Sequence, residues 1–397
     1  MQNREMFAGL KVVELASVLA GPSAGQFFAE LGAEVLKVEN LKTGGDVTRT
    51  WLGKGEVPGK ISAYFSSVNW GKQSIAIDLS TAEGKEIVSS LCASADLVIA
   101  SYKPGDAKKL GVDYLTLKKK NGKLIYGEVT GYGSDNDRVG YDAVVQAESG
   151  FMSINGEKGG NPLKMPVALI DVLAAHHLKE GLLLALLRRQ QTGEGQHVAV
   201  SLIQAGIASL ANQATNWLVA NNLPGRQGSE HPNIAPYGDN FLTADGKRVL
   251  LAIGSDRQFE RLCNVLSISD LPNEDRFRTN PNRVKNRGSL NEKLADAIST
   301  LKATELMKKC NELKIPAGII QNIKEVFELD EAQQIVLRSD DLLGVRNVVS
   351  TSNGALQGLP HILPPPTFGQ HTDQILSEKL SFDPNTLTEL RRKRIIY

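Results

Sequence analysis

The stretch LKVVELASVLAGPSAGQFFAELGAEVLKVE, residues 10–39, decides the fold. KVVEL (11–15) reads as a strand, PSAGQFFAEL (22–31) as a helix opened by Pro22 after Gly21, and EVLKVE (34–39) as a second strand. Proline suits a helix start because the N–H it lacks would have no intrahelical acceptor there. Strand, helix and strand in this spacing form a β-α-β unit. Outward from it the alternation continues: SIAIDL (74–79), a helix from about Thr81 through AEGKEIVSSLCAS, DLVIAS (96–101) and KLIYGEV (123–129). The spacing predicts the α/β class, with a Rossmann-like parallel sheet in the first third of the chain.

Further on, VALI (167–170) reads as a possible strand, followed by Asp171 and a long helix, VLAAHHLKEGLLLALLRR (172–189), apolar on several faces. HVAVSL (197–202) is another strand candidate, and QAGIASLANQATNWLVA (204–220) reads as one helix. NNLPGRQGSEHPN (221–233) carries the Gly, Pro, Asn and Ser of a linker. Beyond it, FLTADGKRVLLAIG (241–254) reads as a strand pair turned at Asp245 and Gly246, followed by helical stretches around 256–266, 283–298 and 302–313. These predict a smaller α+β domain. The prolines of QGLPHILPPPTFGQH (357–371) forbid helix and central strand, and the polar segments after them are expected to pack back on the first domain.

A length of 397 residues predicts about two or three domains. Hydrophobic residues make up 41% and charged residues 22%, with 45 Lys plus Arg against 44 Asp plus Glu, an ordinary globular composition. A net charge of +1 provides no bulk electrostatic footprint for nucleic acid. Cys92, Cys263 and Cys310 form no CxxC pair and no disulfide framework, so a reducing cytoplasm is the expected compartment. The most apolar run, GLLLALL (181–187), stops at Arg188 and Arg189, short of the roughly 20 residues a membrane span needs, and no membrane partner is expected.

The first β-α turn lacks GxGxxG, its glycines standing at 21, 25 and 32. Gly21 and Gly25 fit either close helix packing or an N–H cradle for a phosphate or thioester oxygen. None of His176, His177, His197, His231, His361 and His371 belongs to HExxH or a zinc spacing, so no metal is expected. Lys37, Lys72 and Lys103 all stand near predicted strand ends, where open parallel sheets bind ligands, and are expected to converge on an anionic one. Asp171, at the predicted strand-to-helix junction, is either a helix N-cap or a reacting carboxylate.

Beyond the opening stretch, the strings NWGKQSIAIDL, DLVIASYKPGDAKKLGVDY, GYDAVVQAESG, IDVLAAHH, LLLALLRRQQTGEGQHVAVSL, HPNIAPYG with TADG, and KIPAGIIQNIKEVF stand in an order that covers nearly the whole chain. In them the chain resembles the class III coenzyme A transferases, the family of carnitine CoA-transferase and formyl-CoA transferase, with α-methylacyl-CoA racemase as a related branch. The resemblance implies a large CoA-binding domain from residues 1–225 and a small domain from 226–325. A C-terminal segment, 326–397, returns to the large domain, and two subunits interlock as a homodimer. It implies Asp171 as the catalytic nucleophile. It places CoA contacts on Val18 and Leu19, on Leu36, Lys37 and Val38, on Lys72, and on Tyr102, Lys103, Pro104 and Gly105. Acyl-CoA and a small carboxylic acid are the implied substrates, with no prosthetic group and no metal. The implied reaction transfers CoA from an acyl-CoA to a carboxylic acid through a mixed anhydride and an aspartyl-CoA thioester on Asp171. The alternatives are an acyl-CoA racemase, whose histidine in GHD is here Tyr141 of Gly140-Tyr141-Asp142, and an inactive CoA-binding protein.

Overall fold

KVVEL forms β1 (Lys11–Leu15), a central strand of a six-stranded sheet. The others are β2 (Glu34–Asn40), β3 (Lys72–Ile77), β4 (Leu97–Ala100), β5 (Ile125–Thr130) and β6 (His197–Ser201), in the order β3-β2-β1-β4-β5-β6. Every neighbouring pair is parallel. The computed structural model describes residues 6–349 and 362–397; His361 and the residues 357–360 that open the proline-rich stretch lie outside these.

The central strands read as continuous apolar runs because both faces of the sheet are covered. On one face α1 (Ala20–Glu30) sends Ala20, Ala24 and Phe28 against Ala174, Leu178 and Leu182 of a long helix, which we label α4 (Leu169–Thr192). On the other, α2 (Ala82–Ala93) buries Ile87, Val88 and Leu91 beside Ile375, Leu376, Leu387 and Leu390 from the end of the chain. α1 lies so close to β1 that a Cβ at Gly25 would fall 1.9 Å from Glu14 Oε2, so close packing accounts for this glycine. The chain end closes the outer edge of β3: Asp78 N–H donates to Ile395 O at 2.8 Å and Tyr397 N–H to Ala76 O at 3.1 Å.

Two local expectations are corrected. VALI is not a strand, because α4 begins at Leu169 and takes in its last two residues. The helix expected over 204–220 is two, Leu202–Ala208 and Asn212–Leu218, interrupted where Ala211 adopts a left-handed φ of 48°.

The chain divides into two compact units, one of residues 1–151, 164–221 and 333–397, the other of 152–163 and 222–332. The second holds an antiparallel sheet of β7 (Tyr237–Leu242), β8 (Arg248–Ala252) and β9 (Ala317–Ile319). Gly246, at φ 75°, turns β7 into β8. Helices Asp256–Val265, Arg287–Ile298 and Ala303–Glu312 pack Phe259, Leu262, Leu290, Leu294 and Leu306 into its core. Among the described residues no helix is long and apolar enough to cross a membrane, and no group of three or more His, Cys, Asp or Glu could hold a metal. All three cysteines are buried and unpaired.

Candidate active site

The chain leaves β1 towards β2 on one side of the sheet and runs from β4 to β5 on the other, so the loops after β1 and β4 part and leave a crevice at the strands' C-terminal ends. A cleft of about 370 Å³ occupies this position. The loop after β1 supplies Ser17 to Gly21, the loop after β4 Ser101 to Pro104, and the segment after β5 Arg138 to Asp142. The start of α4 supplies Asp171.

Asp171 is the third residue of α4. The helix N-cap is Ala168, which offers no side-chain acceptor, so the N-cap reading of Asp171 is not the one observed. The residue is 7% exposed, and among the described residues no protein donor hydrogen-bonds its carboxylate. Asp142, the first residue of α3 (Asp142–Glu148), satisfies the neighbouring orphan group, its Oδ1 accepting from Ile170 N–H at 2.8 Å. Asp142 Oδ2 accepts from Gln146 Nε2 at 2.7 Å, and Gln146 Oε1 accepts from Met165 N–H at 2.8 Å. The string around 140–150 therefore fixes the chain that leads into α4. Burial, and then the charge of Asp142, raise the Asp171 carboxyl to about 7. The result is a carboxyl group with free lone pairs, far more basic than an ordinary carboxylate, facing an open cleft. It can attack a carbonyl carbon or exchange a proton near neutrality.

The strand-end lysines do not converge as expected. Lys37 Nζ lies 2.9 Å from Glu14 Oε1, 2.9 Å from Asp46 Oδ2 and 2.9 Å from Ala16 O. Lys72 Nζ lies 2.8 Å from Glu14 Oε2, and it also bonds Pro22 O at 2.8 Å and Asn69 Oδ1 at 2.9 Å. Both are buried. Glu14, wholly inside the sheet, needs counter-charges, and the two ammonium groups provide them. Burial pulls Lys72 down to about 8 in spite of Glu14, whereas for Lys37 the Glu14 and Asp46 charges outweigh burial and hold the ammonium above its ordinary range. Lys103 alone of the three is exposed, and it lines the Asp171 cleft.

Of the other residues assigned to CoA, Val18, Leu19, Tyr102 and Pro104 line the Asp171 cleft. Lys37 and Val38 line an adjoining cleft of about 310 Å³ that shares Ser17 and Tyr102 with the first and also holds Lys42 and Ser80. Leu36 is packed in the core, and the lining of neither cleft includes Leu36, Lys72 or Gly105. Gly105, at φ 85°, starts the helix Asp106–Leu110. Sequence reasoning passed over Arg138, which rests on the Tyr132 ring at 4.2 Å and bonds Glu148 at 2.5 Å, and Trp51; both line the cleft. It also gave no role to Asp142 beside Asp171, although Asp142 follows Gly-Tyr at a helix start.

The model of CoA-transferase family III matches residues 7–372. The succinate–glutarate CoA-transferase of Agrobacterium fabrum is 38% identical over 393 residues, 95% of this chain and 97% of that one. The human succinyl-CoA:glutarate CoA-transferase is 32% identical, over 98% of this chain and 90% of its own. Among solved structures, a CAIB/BAIF family protein from Brucella suis superimposes with a TM-score of 0.86 at 37% identity, covering 94% of this chain and 98% of that one. With the likeness holding from end to end in sequence and in three dimensions alike, the protein is a CoA-transferase and belongs to family III.

Proposed function

We propose that the protein transfers CoA between two carboxylic acids with Asp171 as covalent relay. The observation that carries this is the state of Asp171: in the cleft, without a protein hydrogen bond, and raised to about 7 by burial and Asp142. Such a carboxylate keeps its lone pairs for an acyl carbon and is more nucleophilic than one with a pKa near 4. The Asp171 carboxylate attacks the donor thioester carbon, and the C–S bond breaks to release CoA thiolate and leave an acyl-aspartyl anhydride. The thiolate attacks the aspartyl carbonyl, expelling the donor acid as its carboxylate and leaving an aspartyl-CoA thioester. The acceptor carboxylate displaces the thiolate to form a second anhydride, and the thiolate then attacks the acceptor acyl carbon and frees Asp171. The thioester is conserved and protons balance at each step, so neither ATP nor a metal enters.

The two adjoining clefts suit an elongated acyl-CoA, the acyl end beside Asp171 and the nucleotide end towards Lys37, Val38, Lys42 and Ser80, with Lys103 near the junction residue Tyr102. The relatives' names point to small dicarboxylic acids as donors and acceptors. An interlocked homodimer is the proposed assembly. Exposed Leu184 and Leu187 on α4, with Trp217, Leu218 and Val219, support it as apolar surface suited to a partner subunit. Size-exclusion chromatography with light scattering tests it.

The decisive experiment incubates the purified protein with a matrix of acyl-CoA donors and dicarboxylate acceptors and traps the aspartyl thioester with hydroxylamine. Asp171→Ala and Asp171→Asn are expected to bind CoA and fail to turn over; near-normal transfer by either refutes the relay. Exchange of the acyl α-hydrogen for deuterium would favour the racemase reading.

A further inference from the structure

Val18 carries a conformation that its side chain opposes. It is β-branched, lies between β1 and α1 where it lines the Asp171 cleft, and has φ 72°. A left-handed backbone at such a residue is strained and persists only where its surroundings impose it. Here the surroundings are Asp46. The Val18 N–H lies 3.3 Å from both Oδ1 and Oδ2 of that residue. The Asp46 carboxylate, with no side-chain exposure, is itself fixed, Oδ2 on Lys37 Nζ at 2.9 Å and Oδ1 on the Thr48 N–H at 3.1 Å and hydroxyl at 2.8 Å. Its backbone N–H donates to Glu39 Oε2 at 3.0 Å. Lys37 also bonds Ala16 O, and Ser17 N–H donates to Ser101 Oγ at 3.2 Å, so the two residues before the strained one are held as well. Leu19 then becomes the N-cap of α1 without a side-chain acceptor, and Leu19, Ala20 and Gly21 form a wall of the cleft.

We propose that Asp46 is a positioning residue for CoA transfer, which holds Val18 left-handed and thereby sets the Val18–Gly21 wall of the cleft in which Asp171 reacts. The proposal rests on the Asp171 reading above. Asp46 acts through Val18, because its own oxygens are taken by protein donors. Without Asp46 the valine relaxes towards negative φ and carries the wall with it. A residue that accepts the left-handed region without strain does not need the clamp.

The test combines substitutions at both positions and measures kcat and KM for an acyl-CoA donor together with thermal unfolding. Asp46→Asn is expected to lower kcat by at least about tenfold, as a displacement of an ångström or less would, and to lower stability by disturbing the buried Lys37 pair. Val18→Gly alone sets the reference rate, because it removes a cleft-lining side chain together with the strain. In a Val18→Gly or Val18→Asn background Asp46→Asn is expected to lower kcat no further while stability still falls, whereas in a Val18→Ile background it lowers kcat as in the parent. A loss caused by general destabilisation would recover only with stability. Thr48→Val, which removes one donor to Asp46 and leaves the ion pair intact, is expected to give a smaller kcat loss that the Val18→Gly background also removes; it serves where Asp46→Asn does not fold. An unchanged kcat in a folded Asp46→Asn, or a loss untouched by Val18→Gly, overturns the proposal. Asp171→Ala is assayed in parallel. Turnover there refutes the relay and leaves the Asp46 and Val18 comparison standing on its own.

Discussion

Asp171→Asn makes the protein more stable, and increasingly so as the pH rises. The folded carboxyl, raised from 3.8 to about 7 by burial and Asp142, holds its proton more tightly than the unfolded one. A group with a raised folded pKa contributes stability below its unfolded value, and that contribution is lost as the pH rises through the folded value. At roughly 1.36 kcal/mol per unit, the greater readiness of the unfolded carboxyl to ionise lowers the stability of the fold, relative to low pH, by about 1.7 kcal/mol at pH 5 and about 4 kcal/mol at pH 8. The amide of the variant never ionises, so the gap between variant and parent widens by roughly 2.5 kcal/mol from pH 5 to pH 8, most of it below pH 7. For a unit of this size that is about 5 °C in melting temperature. Thermal unfolding of both proteins across that range, at constant ionic strength and without CoA, gives the difference directly. A constant difference, or one that shrinks with pH, refutes the assignment of a raised carboxyl at Asp171.

The relay must be ionised to attack, so kcat/KM is expected to fall about tenfold per pH unit below about pH 7; a flat profile down to pH 5 contradicts the pKa. Asp142→Asn removes the charge that helps burial raise Asp171, and the acid limb of that profile is expected to move to lower pH yet stay above the ordinary carboxylate range, because burial is the larger cause. Lys103→Ala is expected to raise KM for acyl-CoA, more at low salt than at high, with kcat unchanged. By contrast, Lys72→Met leaves Glu14 short of a buried counter-charge and is expected to cost about 3–5 kcal/mol of stability while leaving KM of the folded protein alone. A CoA-binding defect in a stable Lys72→Met would restore Lys72 to the site.

The parallel sheet was legible because its strands, buried on both faces, carry apolar runs that a reader can find without knowing their neighbours. The role proposed for Asp171 is suggested in the sequence chiefly by the resemblance. What makes it unusual, the carboxylate of Asp142 satisfying the helix N–H beside it, joins two segments that sequence spacing does not connect. The expected convergence of the three lysines fails for a related reason. A lysine at a strand end looks like a ligand for an anion, and nothing in KVVEL announces that Glu14 faces inward and needs two of them. Nor does a valine announce a left-handed backbone. Local pattern reports burial and period well, whereas the partner of a buried charge is a fact of the assembled fold.

The closing of β3 by the last residues of the chain bears on how the protein is made. His371, Thr372, Ile395 and Tyr397 bond to an edge laid down early in synthesis, so β3 has no partner on that side until residues 371–397 have been made. Until then a nascent chain must carry an open, apolar strand edge, the condition under which strands of neighbouring chains pair with one another. Residues 371–372 and 395–397 thus act as a late lock: changes there bear on yield and aggregation first, and on catalysis only afterwards.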